Sequence, residues 1–365
     1  MRIHLITSNF PPEVGGIETH VYQLAKNLAK DHDVEVLWIT ESNNTPQHEE
    51  LSVQKIPPYT YTKRTIPNVM LRGKKILENI NTFDPDIIHS HNIGHNISIS
   101  LINPDVPVVF TNHSSQFLSE FYRGRYRDML KFKLSFGYAD YCITPSEELR
   151  KATRKITETP VIEIPNGVNI ERFHPKAEEA KIPEYSTEDF IVLTTRRFER
   201  KNGMRYLAEA IPRTNKQIKY VLLGDGAERE KVQQSIESNN AMYRVSMPGT
   251  VPNEQIHKYY SRADVCIMPS LKEAVSISAL ESMATGTPLI GTKVGGLPEI
   301  ISDGENGLLV PPKDPEAISK AINELYSSPN ILDRMSRNAR DTVRKRYSWE
   351  TITKNTIEIY ENVLQ

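Results

Sequence analysis

The sequence predicts an α/β fold of two domains, each a parallel sheet covered by helices, and three observations lead there. Short apolar runs alternate with amphipathic helical stretches along almost the whole chain, the pattern of parallel strands joined by crossover helices. At 365 residues the chain is longer than one ordinary core requires and suits two. Ala139-Asp-Tyr-Cys-Ile-Thr-Pro-Ser146 is echoed by Ala263-Asp-Val-Cys-Ile-Met-Pro-Ser270, each a short strand leaving through Pro-Ser, as in two domains of similar construction.

Composition excludes several classes. Hydrophobic content of 38% and charged content of 25% fit a globular protein, and a net charge of −1 gives no reason to expect a nucleic-acid partner. No apolar run approaches a membrane span, and Met1-Arg-Ile-His-Leu enters a strand without a secretory signal. The two cysteines each fall in a predicted buried strand, so neither a disulfide nor a metal role is expected and a cytoplasmic location is.

Taken in order, Ile3–Thr7 is a strand running into a Gly- and Pro-punctuated loop that ends at Gly15-Gly16. A helix with Val21, Leu24, Ala25 and Leu28 on one face follows, the opening of a Rossmann-like unit without the G-x-G-x-x-G fingerprint. Strands are predicted at Val34–Ile39, Ser52–Ile56, Asp86–His89 and Val108–Thr111, with a helix over Asn68–Ile80. His89 reads as a core residue, whereas His113, just past a strand end, is a site candidate. Residues 116–137 interleave aromatics with Arg123, Arg125, Arg127, Lys131 and Lys133. Three readings stand for them: an interfacial helix, the wall of an anionic acceptor site, or a helix with one core face and one solvated face. Residues 168–188 carry little periodicity and read as an interdomain linker. The second half restarts at Phe190–Thr195, and helical segments run from Pro315 to the C-terminus.

Chemistry concentrates in the second half. Arg196 and Lys201 lie five residues apart on a strand-exit loop, either a diphosphate clamp or ordinary surface cations. Gly224-Asp-Gly226 is a tight turn and a candidate wall for a nucleotide base. Glu273 and Glu281 flank the start of a helix, with Glu281 four residues after Ile277. The free N–H groups from Val275 through Ser276, Ile277 and Ser278 form an anion site at the helix N-terminus, between an outer carboxylate and one suited to a ribose cis-diol. The plainer alternative is a solvated helix with an N-terminal acid. Asp84-Pro-Asp86 and Asp31-His-Asp33 have metal-binding spacing, but both precede strands, the end away from ligands, and read as turn acids. A serine elbow and a P-loop are missing.

Taken together, these motifs resemble the family-4 glycosyltransferases of GT-B fold, retaining enzymes that use nucleotide-diphospho-sugars. The resemblance spans nearly the full length. It rests on Gly15-Gly16, Asp86-Ile-Ile-His-Ser-His91, Thr111-Asn-His113, Ile164-Pro-Asn-Gly-Val168, Arg196 with Lys201, Gly224-Asp-Gly226, Glu273 with Glu281, Gly286-Thr-Pro288 and Val294-Gly-Gly-Leu-Pro-Glu299. It implies two Rossmann-like domains facing a cleft, at 1–168 for the acceptor and 169–345 for the donor, with 346–365 crossing back to the first. It further implies that Arg196 and Lys201 bind the diphosphate, Glu281 the ribose and Glu273 sugar hydroxyls, with Gly224 and Val251 also at the donor. Gly15-Gly16 would let the first domain close over the phosphates, His113 would sit near the transferred sugar, and no metal would be required. Where the family often has Gly-Phe-Gly after its first glutamate, this chain has Ala274-Val275-Ser276, which leaves the donor sugar open. The expectation is transfer of a hexose or N-acetylhexosamine from a UDP- or GDP-sugar to a hydroxyl acceptor, lipid-linked or a growing glycan. The alternatives are a sugar-nucleotide 2-epimerase, a phosphorylase or a noncatalytic sugar-nucleotide binding protein.

Overall fold

The computed structural model describes residues 1–13, 15–42, 50–57, 66–124, 126–175, 177–273 and 276–365. The chain divides into two compact units, the first comprising Met1–Asn166 with Trp349–Gln365 and the second Gly167–Ser348.

The first unit runs β1 (Arg2–Thr7), α1 (Gly16–Leu28), β2 (Asp33–Ile39), β3 (Ser52–Ile56), α2 (Ile66–Phe83), β4 (Ile87–Ser90), α3 (Ile93–Ile102), β5 (Val108–Thr111), α4 (Ser115–Tyr122), α5 (Tyr126–Tyr138), β6 (Tyr141–Thr144), α6 (Glu147–Arg154) and β7 (Val161–Glu163). Its seven parallel strands lie in the order β3-β2-β1-β4-β5-β6-β7, with Leu5 of β1 in register between Val36 and His89. Val21, Leu24 and Leu28 of α1 pack on one face with Trp349, Ile352 and Tyr360, and Ile76, Ile99, Phe117, Phe132 and Phe136 fill the other.

The second unit runs β8 (Ile191–Thr195), α7 (Met204–Ala210), β9 (Lys219–Leu223), α8 (Arg229–Ser238), β10 (Val245–Gly249), α9 (Asn253–Arg262), β11 (Val265–Met268), α10 (Ile277–Ala284), β12 (Leu289–Thr292), α11 (Leu297–Ile300), β13 (Gly307–Val310), α12 (Pro315–Ser327) and α13 (Pro329–Arg346). The parallel order β10-β9-β8-β11-β12-β13 reverses direction about its first strand, as the other sheet does about β1. The last helix, α14 (Trp349–Leu364), belongs to the first unit and packs on α1.

Two expectations need correction. Residues 168–188 are not a free linker: Val168 and Phe173 are buried in the second unit's core, and the Tyr185 hydroxyl donates to the Tyr220 carbonyl at 2.9 Å. The segment lacks periodicity because it straps the unit through individual side chains rather than as a helix or strand. The Ala-Asp…Pro-Ser echo does fall in two α/β units of similar construction, although at different places in their sheets: β11 adjoins its unit's first strand and β6 lies two strands further out. What the echo preserves is local. Asp140 Oδ2 accepts the Val108 N–H and Asp264 Oδ2 the Ile191 N–H, each at 2.7 Å, at the start of the neighbouring strand. Asp86 does the same for Arg2 at 2.7 Å, which bears out its reading as a turn acid. The predicted helix at Asn68–Ile80 extends further, to Ile66–Phe83.

Residues 116–137 form α4 and α5, and their aromatic face covers the core. Phe117, Phe132 and Phe136 are buried, while Tyr122, Leu130 and Leu134 are exposed. Arg125 lies outside the described residues. Among the described residues no helix is long and apolar enough to cross a membrane.

Candidate active site

In the second unit the strand exits of β8, β9 and β11 meet beside the N-terminus of α10. Close backbone approach makes this possible. Gly203 (φ +68°) turns the loop after β8 so that a Cβ there would lie 1.9 Å from the Pro269 carbonyl oxygen. The Lys201 carbonyl accepts the Leu271 N–H at 2.7 Å, which ties the loop after β8 to the loop after β11. Gly295 (φ +53°) would place a Cβ 1.7 Å from the Glu273 carbonyl oxygen, so the Val294-Gly-Gly segment fixes where Glu273 stands.

These loops bring Arg196 and Glu273 into a direct ion pair, with side chains only 12% and 11% exposed. Arg196 Nη2 also donates to Asn202 Oδ1 at 2.9 Å and to Ser270 Oγ at 3.3 Å, and Ser270 Oγ donates to Glu273 Oε2 at 3.1 Å. Arg196 Nε is buried without a hydrogen-bond partner among the described residues. Lys201 does not converge with Arg196: its exposed Nζ pairs with Glu199 Oε2 at 3.2 Å.

Ser276 caps α10 by accepting the Ala279 N–H, leaving the Ile277 and Ser278 N–H groups in the first turn, where no intrahelical carbonyl can reach them. Val275 and Ala274 lie outside the described residues. One turn further in, Glu281 is mostly buried. Burial pushes its carboxyl up to about 7, opposed by the Arg172 charge and by the Tyr260 hydroxyl, which donates at 3.4 Å. Tyr260 is shared with Thr195 Oγ1 at 2.7 Å, so Glu281 connects back to the end of β8. Arg196, Gly224 and Val251 line one recess of about 380 Å³ together with Thr195, Asp225 and Ile256.

In the first unit Gly15 and Gly16 stand at the N-terminus of α1. A Cβ on Gly15 would meet the Glu18 carboxylate at 2.1 Å, and Glu18 accepts from Asn9 Nδ2 at 2.7 Å. Beyond the carboxyl ends of β4 and β5, His113 is half-buried with its Nε2 3.2 Å from His91 Nδ1, and its ring centroid lies 4.7 Å from that of His20. His20 Nδ1 bonds Asn166 Oδ1 at 3.0 Å. His89 is a core residue as expected, held between the Tyr360 hydroxyl and Thr111 Oγ1 at 2.7 Å each. Burial keeps His20, His89, His91 and His113 below the ordinary imidazole range.

Sequence reasoning missed the partners more than the principals. In the sequence Ser270 shows only as a strand exit, and neither Tyr260 nor His20 has a motif around it. The spacing His89-Ser-His91 at a strand end was the signal that a second imidazole faces His113.

Two doubly wound parallel α/β units, the second with a buried arginine, paired glutamates and a helix N-terminus at its strand exits, define a GT-B glycosyltransferase. Residues 14–172 match the Glycosyltransferase Family 4 profile and residues 175–342 match Glycosyl transferases group 1; the chain belongs to this family. An uncharacterized glycosyltransferase of Methanocaldococcus jannaschii is 28% identical, over 100% of this chain and 99% of its own. A component of the phosphatidylinositol N-acetylglucosaminyltransferase of Arabidopsis thaliana is 26% identical, over 100% of this chain and 83% of its own. In fold, the chain is similar to Anabaena HepE, solved in complex with UDP, with a TM-score of 0.78 at 18% identity, covering 99% of this chain and 100% of that one.

Proposed function

We propose that the protein is a retaining transferase that moves a hexose or N-acetylhexosamine from a UDP- or GDP-sugar to a hydroxyl acceptor, lipid-linked or on a growing glycan, without a metal on the phosphates. The observation that carries this reading is the Arg196–Glu273 pair beside the free first-turn N–H groups of Ile277 and Ser278, in a unit whose Glu281 lies one turn deeper. A diphosphate would draw on Arg196 and those N–H groups, with Lys201 leaving Glu199 to join them. Glu273 would then accept from sugar hydroxyls, and Glu281 from the ribose. Gly224 and Val251 are assigned to the nucleotide, and Gly15, Gly16 and His113 to the phosphates and sugar of the same donor. In the reaction the acceptor oxygen bonds to the anomeric carbon on the face from which the phosphate leaves. The C1–O bond to phosphate breaks, and the acceptor's proton passes to the departing phosphate oxygen.

UDP in the Anabaena complex and the N-acetylglucosaminyl group in the Arabidopsis relative's name favour a UDP-N-acetylhexosamine as the first donor to try. Exposed Tyr122, Leu130 and Leu134 beside Arg123 and Lys133 support a peripheral contact with an anionic membrane face, which would suit a lipid-linked acceptor in the cytoplasm.

A thermal-shift panel of UDP, GDP, ADP and their sugars, with and without EDTA, tests the donor site, since a bound ligand raises the melting temperature by mass action. One nucleotide should shift the transition whether or not EDTA is present. Glu273→Ala, Arg196→Ala and Lys201→Ala should each lose transfer. Full activity in all three sinks the assignment.

A further inference from the structure

The recess lined by Arg196, Gly224, Thr250 and Val251 is held in shape by a side chain that does not line it. Strands β9 and β10 pair in parallel at Tyr220 with Val245 and at Val221 with Ser246, and next at Leu223 with Gly249. Two steps along β9 are thus matched by three along β10, a one-residue bulge that leaves Met247 and Pro248 without register partners. Pro248 has no N–H to offer a ladder, and Gly249 (φ +84°) takes the left-handed conformation just before Thr250 and Val251. A bulge re-aims the residues that follow it, and here those residues are two walls of the recess.

Arg229, the first residue of α8, bridges this irregular exit to its neighbour. Its Nη2 donates to the Met247 carbonyl at 2.6 Å and its Nη1 to the Gly224 carbonyl at 3.1 Å. The Gly224 N–H donates to the Gly249 carbonyl at 2.8 Å, so the guanidinium and this backbone bond tie the two strand ends on either side of the bulge. Both guanidinium bonds have a charged donor, which makes them stronger than neutral ones. The Arg229 guanidinium carbon lies 5.8 Å from the centre of the Phe198 ring. Phe198 is fixed in turn, its N–H donating to the Asp225 carbonyl at 2.9 Å and its carbonyl accepting the Glu228 N–H at 2.8 Å. The phosphate end of the site has separate supports, since Arg196 is held by Asn202, Ser270 and Glu273.

We propose that Arg229 is a positioning residue for the nucleoside half of the donor: it holds the bulged end of β10 against the end of β9 and so sets where Gly224, Thr250 and Val251 stand. The proposal rests on the assignment of this recess to the nucleotide. Arg229 acts through those three residues and leaves the diphosphate to Arg196 and the α10 N-terminus. Its loss should therefore separate two affinities that a general disturbance of the unit would lower together.

The test compares Arg229→Met with Arg229→Lys in the full chain. Met keeps an apolar stem against Phe198 and removes both donors, whereas the single ammonium of Lys offers a point charge in place of the two-pronged fork. Calorimetric titration with UDP, and with GDP as the second probe, reads nucleotide affinity; competition by inorganic pyrophosphate reads the phosphate site without a nucleoside. Whichever nucleotide the parent binds should bind about 10-fold more weakly to Arg229→Met, with pyrophosphate affinity unchanged. Arg229→Lys should fall between the parent and Arg229→Met. If a circular-dichroism melt shows Arg229→Met unfolded, Arg229→Lys carries the test and should still bind nucleotide more weakly than the parent. Nucleotide affinity unchanged in the folded variants, or lost equally with that for pyrophosphate, overturns the proposal while leaving the donor site in place. A parent chain that binds neither UDP nor GDP overturns the donor reading itself, and the role of Arg229 with it.

Discussion

Glu281 shows how burial and function pull against each other at one residue. A carboxylate that accepts from ribose hydroxyls must be ionised, yet burial pushes this group up to about 7. The folded chain therefore holds the proton more tightly than the unfolded chain does, and stability from this group is full at low pH and falls as pH rises through 7. Glu281→Gln should be about 2–3 kcal/mol more stable than the parent at pH 8, with the gain vanishing toward pH 4, as urea unfolding at the two pH values would record. Nucleotide affinity should run the other way, weakening in the parent below about pH 7 and becoming flat with pH in the variant. Both glutamates and Arg196 were legible in the sequence because a helix start flanked by acids is a local pattern. Their neighbours Ser270, Asn202 and Tyr260 were not, because strands distant in sequence bring them together.

Among elements, the repeated device is an aspartate just before a strand that bonds the first residue of the strand beside it. The exchange is reciprocal. Asp86, Asp140 and Asp264 accept the N–H of Arg2, Val108 and Ile191, and donate their own N–H to the same residues' carbonyls at 2.9, 2.8 and 3.0 Å. Each pair starts a parallel ladder where no turn could set its register. Asp140→Ala should cost about 1–2 kcal/mol through the unsatisfied Val108 N–H, and Asp140→Asn should recover part of that, both measured by denaturant unfolding. A cost within about 0.3 kcal/mol for Ala would show that the ladder sets its own register. The alternation of strands and helices was plain in the sequence because periodicity is local. The strap at 168–188 reads as a linker for the same reason, since its order comes from contacts such as Tyr185 with Tyr220 rather than from a repeating pattern.

At the scale of the molecule, burial acts on different groups in the two units. Burial lowers His4 to about 4 and His95 to about 3, and both lie in the first unit. These imidazoles stay neutral when folded and take up protons on unfolding. Their contribution is therefore intact above about pH 6.5 and is lost as pH falls toward 4, at about 1.4 kcal/mol per pH unit for each. In the second unit, acid relieves the buried Glu281 instead. Trp38 and Trp349 are the only tryptophans of the chain and both belong to the first unit, so their emission reports that unit alone. On acidification the tryptophan transition should precede part of the far-ultraviolet change, and coincident transitions would argue against independent acid sensitivity.

The first unit is also interrupted in sequence. Trp349, Ile352, Ile359 and Tyr360 of α14 complete the core around α1, although the rest of that core ends at Ile164. During synthesis, residues 167–348 emerge before those side chains exist. At about 5–20 residues per second the nascent first unit waits roughly 10–40 s with one sheet face unclosed, while the second, continuous unit can finish without it. The half of the protein that begins first is thus the half completed last. Its open apolar face is the stretch of nascent chain for which a ribosome-associated chaperone has the longest opportunity.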